Sequence, residues 1–168
     1  MNKSLNKDII WELKTPEQLV TSIQVIRDSF KTVAAEFGLT EQNCPTHPSF
    51  ITPDRLNDLK SKGGLFFGLF TSGQQIGFVA IEKADMELYY IEKLAVLPGY
   101  RHLGHGKTLV RFAQNYIRNN GGRKISITVI DEHTVLKKWY QELGFSEIDT
   151  KTFPHLPFTV CFMEMELE

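Results

Sequence analysis

Leu19, Ile23, Ile26, Phe30, Val33 and Phe37 recur at alternating steps of four and three, the period of one helical face. Thr15-Pro16-Glu17-Gln18 precedes them with a capping residue, a proline at the first helical position and a glutamine three after the cap. Gly38 stops the run. A strand over 8–13 leads into this helix. An irregular stretch over 39–51 follows, holding Cys44, Pro45, Thr46, His47 and Pro48. A loop of that length in a compact domain tends to be functional or mobile. A short helix begins at Thr52-Pro53 and ends before Gly63-Gly64. Strands over 65–71 and 75–83 are joined by Ser72-Gly73-Gln74, and a third runs from Leu88 to Leu97 until Pro98. A turn with Gly104 and Gly106 opens a helix that runs through Asn119, with Leu109, Phe112, Ala113, Tyr116 and Ile117 as its stripe. Then come a strand over 124–130, with Ile125, Ile127 and Val129 on one face, a helix over 133–143 closed by Gly144, and a final strand over 158–167. The order β, α, α, βββ, α, β, α, with one or two closing strands, predicts an α/β fold of the α+β type: a mixed sheet with helices packed on it.

Composition narrows the classes without changing that picture. The 168 residues carry no repeat, low-complexity segment or linker, so one domain over 1–168 is expected. Apolar residues make up 42% and charged residues 23%, enough for a packed core without metal or disulfide. Nineteen basic against 20 acidic residues leave a net charge of −1, which gives no reason to expect nucleic acid or an anionic membrane as partner. Cys44 and Cys161 are far apart and form no CxxC pair, so reduced thiols and no metal are expected. The polar start Met1-Asn2-Lys3-Ser4-Leu5-Asn6 lacks the apolar core of a signal peptide, and no apolar run approaches membrane-spanning length. The expected compartment is the cytoplasm.

The sharpest local chemistry is Arg101-His102-Leu103-Gly104-His105-Gly106-Lys107, set between a strand and a helix. A helix N-terminus exposes unpaired N–H groups and carries about half a positive charge. Two glycines allow close approach, and Arg101 and Lys107 add charge, so a diphosphate is a reasonable guest. A nucleotide P-loop would need glycine where Arg101 stands, and a dinucleotide fingerprint would need one where Leu109 stands. Taken alone, the run also reads as an ordinary strand–helix turn.

Context decides between these. The run from Leu94 to Lys107 resembles the acetyl-CoA-binding motif of the GNAT superfamily of N-acyltransferases, Arg/Gln-x-x-Gly-x-Gly/Ala after a strand ending in Val-x-Pro. Tyr140-Gln141-Glu142-Leu143-Gly144-Phe145 resembles the family's Tyr-x-x-x-Gly-Phe. The two stand at the family's usual separation, and the resemblance covers about residues 64–168. It implies a mixed, mostly antiparallel sheet with helices on both faces and a splayed central strand pair. It implies acetyl-CoA as co-substrate, its diphosphate on the amides of His102, Leu103, Gly104, His105, Gly106 and Lys107 and its pantetheine arm along Ala95 and Val96. The family often has asparagine where this chain has His133, and histidine can still donate a hydrogen bond to the cofactor there.

Such transfer needs a neutral amine, an activated thioester and a proton for the leaving thiolate. An amide near Val96 would polarise the thioester carbonyl, an effect worth ~3 kcal/mol. Neutralising a lysine-like amine at pH 7 costs roughly 4–5 kcal/mol. Glu92 is the candidate base, because it falls on the apolar face of Leu88, Tyr90, Leu94 and Val96, where a carboxylate is out of place. An ion pair with a cation from a neighbouring element explains Glu92 equally well, since many relatives use only water. Tyr140 occupies the position of the tyrosine assigned as proton donor, at the border of the apolar face of Val135, Leu136, Trp139 and Leu143.

The acceptor side is expected from the 39–51 loop, the helix after Pro53 and the loop at 153–158, with Phe50, Phe153 and Phe158 as lining. His47 and His155 are minor candidates for polar contacts, and Cys44 is expected to be a plain thiol. A small-molecule primary amine is the first-choice acceptor and a peptide or protein amine the second. The other class in play is a non-catalytic sensor of acyl-CoA, which would need neither Tyr140 nor Glu92. Homodimers are common among the relatives.

Overall fold

The capping box foreseen at Thr15 forms as written in the computed structural model, which describes residues 7–168. The Thr15 hydroxyl accepts from the Gln18 amide at 3.3 Å, and the Gln18 side chain accepts from the Thr15 amide at 3.0 Å. Helix α1 then runs Pro16–Phe37 and ends on Gly38, whose φ of 63° turns its N–H back to the Ala34 carbonyl. Ahead of it lies β1 (Ile9–Glu12). After it come a 3-10 turn (Pro48–Phe50), α2 (Pro53–Ser61), and strands β2 (Leu65–Thr71), β3 (Gln74–Lys83) and β4 (Leu88–Val96). A second 3-10 turn (Pro98–Tyr100) leads to α3 (His105–Asn119), β5 (Lys124–Ile130), α4 (Thr134–Glu142), β6 (Ser146–Thr152) and β7 (Thr159–Glu166).

The strands form one sheet in the order β1-β2-β3-β4-β5-β7-β6. Every neighbouring pair is antiparallel except β4 with β5. One face packs on α3 and α4: Ile125, Ile127 and Val129 of β5 meet Leu109, Ala113 and Ile117 of α3 and Tyr140 of α4. The other face packs on α1 and α2, where Phe66, Phe78, Ala80 and Ala95 meet Leu19, Ile23, Ile26 and Leu56. A third cluster joins the C-terminal end of α1 to β5 through Ala34, Leu39, Cys44 and Ile130, with Phe158 packed against it. Each such buried aliphatic or aromatic side chain contributes about 1.5–3 kcal/mol. Among the described residues no helix is long and apolar enough to cross a membrane.

Three expectations are corrected. β6 is an edge strand exposed along its whole length, so Ser146–Thr152 carries no apolar alternation to announce it. In α4, Val135 is 76% exposed and Tyr140 only 6%, so the tyrosine lies inside the buried face rather than at its border. Leu136, Trp139 and Leu143 flank it at helical spacing, which turns Val135 outward. His47, a minor candidate for an acceptor contact, is instead buried: it caps the first 3-10 turn, with Nδ1 2.7 Å from the Ser49 hydroxyl, and burial pulls its pKa down to about 4.

Candidate active site

Strands β4 and β5 pair only at Leu88–Lys124, Tyr89–Ile125 and Tyr90–Ser126. Beyond Tyr90 they part, while β4 keeps its bonds to β3 and β5 pairs with β7 as far as Ile130. A gap therefore opens between residues 91–96 and 127–130, edged by backbone groups with no strand partner on that side. This is the splayed central pair that the motifs implied.

A bulge sets what faces the gap. Opposite β3, Ala80 pairs with Glu92 and Phe78 with Ala95, so β4 spends one residue more than β3. Lys93 takes up the extra residue at a φ of 51°, a left-handed conformation for a non-glycine. The alternation flips there. Glu92 shares the α1/α2 face with Ala95, while Leu94 and Val96 pack on the α3 side. The expected common face of Glu92 with Leu94 and Val96 is thus wrong, because strict two-residue alternation ends at the bulge. At the end of the strand the Leu97 N–H bonds the Ile76 carbonyl on β3 at 2.9 Å. Successive residues of a strand point their polar groups to opposite edges, so the Val96 N–H is turned to the gap.

Two carboxylates meet on the α1/α2 face. Glu82 of β3 lies diagonally across from Glu92, and burial first, then the charge of Glu92, hold its pKa above the ordinary carboxylate range. Lys62 and Lys93 oppose that rise. The Lys93 ammonium sits 3.3 Å from the Glu92 carboxylate, so the cation partner of Glu92 comes from its own strand rather than from a neighbouring element.

On the other side the gap runs up to the first turn of α3. Gly104 stands at the N-cap with a φ of 86° and no side-chain cap, and His102 has a φ of 62°. The first bond of the helix is Thr108 N–H to the Gly104 carbonyl at 3.0 Å. Among the described residues the amides of 105–107 have no backbone or capping partner, and left-handed residues beside helical ones gather N–H groups into an anion-binding nest. The residues present therefore fit a diphosphate. Leu103 and Lys107 are exposed, and His105 is held by Asp8, Nδ1 to carboxylate 2.9 Å. A Cβ at Gly106 would stand 3.1 Å from the Trp139 ring, so this glycine also lets α4 lie against the first turn of α3.

Arg101 behaves differently from its expected role beside the phosphates. Its Nε donates to the Val96 carbonyl at 3.1 Å, one terminal nitrogen donates to the Thr32 hydroxyl at 2.8 Å, and the other to the Ser29 carbonyl. Half-buried, it binds the end of β4 to α1. His133 caps α4, its Nδ1 accepting from the Leu136 amide at 3.4 Å, and its ring packs on Phe37 with centroids 5.3 Å apart. In the neutral ring that leaves the proton on Nε2, free to donate.

Tyr140 packs edge-on against Trp139 and Phe145, with centroids 4.8 and 5.4 Å away, and burial raises its hydroxyl pKa above the usual range. The Phe145 N–H donates to the Tyr140 carbonyl at 3.1 Å across Gly144, whose φ is 105°. The Tyr-x-x-x-Gly-Phe pattern is thus a helix stop that locks the tyrosine ring in place. The proposed acceptor lining divides: Phe158 joins the Ala34–Ile130 cluster, Phe50 borders a cleft with Arg27 and Lys31, and Phe153 lies near exposed His155. Among the described residues Asp131, Glu147 and Cys161 offer ligand atoms within 4.8 Å of one another, but Lys137 already bridges the two carboxylates at 2.8 and 3.2 Å.

Residues 31–145 match the Acetyltransferase (GNAT) family. The chain is 33% identical over 125 residues to the aminoglycoside N(6')-acetyltransferase type 1 of Salmonella typhimurium, spanning 69% of this chain and 86% of that protein. In fold it is similar to the PaiA N-acetyltransferase of Thermoplasma acidophilum in complex with coenzyme A, with a TM-score of 0.77 at 24% identity over 95% of this chain and 99% of that one. It is also similar to a GNAT family acetyltransferase of Elizabethkingia anophelis with acetyl-CoA bound, with a TM-score of 0.67 at 15% identity over 98% and 100% of the two chains. The chain thus belongs to the GNAT family and is an acetyl-CoA-dependent acyltransferase.

Proposed function

We propose that this enzyme moves the acetyl group of acetyl-CoA directly onto the primary amine of a small cationic molecule. The observation that carries the reading is the gap between 91–96 and 127–130, opened where β4 leaves β5, on a strand that continues toward the uncapped turn of α3. In this reading the amides of 102–107 hold the diphosphate and the Val96 N–H polarises the thioester carbonyl. His133 Nε2 remains available to the cofactor. Glu92 takes a proton from the acceptor ammonium, directly or through water. The neutral nitrogen attacks the carbonyl carbon, the new C–N bond forms as the C–S bond breaks, Tyr140 protonates the departing thiolate, and the second proton shed by the nitrogen returns through water to the Tyr140 oxygen. The likeness to an aminoglycoside acetyltransferase supports a polyamino acceptor, as does the pair of carboxylates on the acceptor face. A peptide amine is the second class.

Thiol release from acetyl-CoA, followed with an aminoglycoside, a linear polyamine and a short peptide with a free N-terminus, tests the proposal. The expected result is acceptor-dependent release with a small polyamine, with a product heavier by one acetyl group. Tight binding of acetyl-CoA with no release for any amine would make the chain a sensor instead.

A further inference from the structure

Helix α1 is fastened to both lips of the gap. Its C-terminal end is joined to the β5 side by Ala34 packing with Ile130 and by Phe37 against the His133 ring. Its middle is joined to the β4 side by Arg101, alone among the charged groups of the described residues, through Ser29 and Thr32. The same guanidinium holds the carbonyl of Val96, the residue whose N–H is turned into the gap. Three donors of one planar, always charged group thus fix one strand end and one helix at once. The bonds span 69 and 72 residues of sequence, so no local turn would restore them.

We propose that Arg101 is a positioning residue that sets the β4 lip of the gap against α1, and with it the aim of the Val96 N–H, rather than a ligand of the diphosphate. The idea rests on the acetyltransferase reading above. Its consequence is specific. A phosphate ligand acts only on a cofactor that carries phosphate, whereas a strut acts on any thioester placed in the gap. The rate-enhancing contact it aims exists chiefly in the transition state, so its loss falls on kcat more than on KM.

The test compares acetyl-CoA with S-acetylpantetheine, which lacks the nucleotide and diphosphate, in the wild type, Arg101→Gln and Thr32→Val. A strut predicts that Arg101→Gln lowers saturating kcat about tenfold or more, a change of roughly 1.4 kcal/mol. It also predicts that kcat/KM falls by the same factor for both thioesters, and that melting shifts with free CoA stay close to those of the wild type. Thr32→Val, which removes one partner on α1, lowers kcat in the same direction by less, and the double variant is less than additive. A selective loss for acetyl-CoA, with S-acetylpantetheine unaffected and the CoA melting shift reduced, would overturn the proposal and return Arg101 to the phosphates. If Arg101→Gln does not fold, Thr32→Val decides: unchanged kcat overturns the strut, and a lowered kcat with the two thioesters equally affected supports it. Absence of turnover in the wild type itself would indict the acetyltransferase reading, not the strut.

Discussion

Tyr140→Phe lowers kcat by roughly a hundredfold or more, within the 10²–10⁴ range of general acid catalysis, and leaves the fold and acetyl-CoA affinity in place. The ring is packed among Trp139 and Phe145 in the α3/α4 core, and phenylalanine keeps that packing. Only the hydroxyl is lost. Burial raises its pKa, so the hydroxyl stays protonated through the neutral range and keeps a proton to give. Saturating kcat, the melting temperature and the CoA-induced melting shift, measured on the same preparation, separate the two contributions. Full turnover in the variant would remove Tyr140 from the chemistry and leave it as core.

Glu92→Gln is expected to cost about 10²-fold or more in kcat/KM for the amine, because the acceptor must lose a proton before attack. The pH profile carries the sharper prediction. Glu82 is held above the usual carboxylate range by burial and by the charge of Glu92. Glutamine removes that second cause, so the pKa of Glu82 moves down. Any residual rate that uses Glu82 then has its acid limb at lower pH than the wild type. The Lys93 ammonium, 3.3 Å from Glu92, loses its partner at the same time, a half-exposed pair whose loss costs about 1 kcal/mol of stability or less. An unchanged profile at an unchanged rate would mean that water alone serves as base.

Sequence patterning revealed most of the scaffold, for physical reasons that differ by element. Helix α1 was legible because its cap, its apolar stripe and its terminal glycine all agree. The turn at 102–107 was legible through the resemblance of Leu94–Lys107 to a family motif, since its two glycines alone also fit an ordinary strand–helix turn; the approach of Trp139 to Gly106 appears only in the fold. The bulge at Lys93 was not, since a bulge arises from how β4 pairs with β3, and nothing in Ile91-Glu92-Lys93-Leu94 marks it. It decides which face carries Glu92, so that residue was given the wrong neighbours. Glu82 was missed for the same reason: its place beside Glu92 is a cross-strand relation. Arg101 was read as a phosphate ligand from its charge and its place in the motif, while its partners Thr32 and Ser29 lie 69 and 72 residues away in sequence. Tyr140 was placed at the edge of its helix face because Val135 counted as apolar, although it faces water. The exposed strand β6 offered no alternation to read.

The glycine turn and the β4–β5 gap are proposed to receive acetyl-CoA together. Amide hydrogen exchange with and without acetyl-CoA, with ATP as control, tests it at the level of peptides. Slower exchange is expected in the peptides that cover 102–107 and 91–96 on adding acetyl-CoA, with no change in β1 or β6 and no effect of ATP at the same excess. Protection confined to other segments, such as the cleft between α1 and α2 lined by Leu19, Ile23 and Leu56, or no protection at saturating acetyl-CoA, would contradict it.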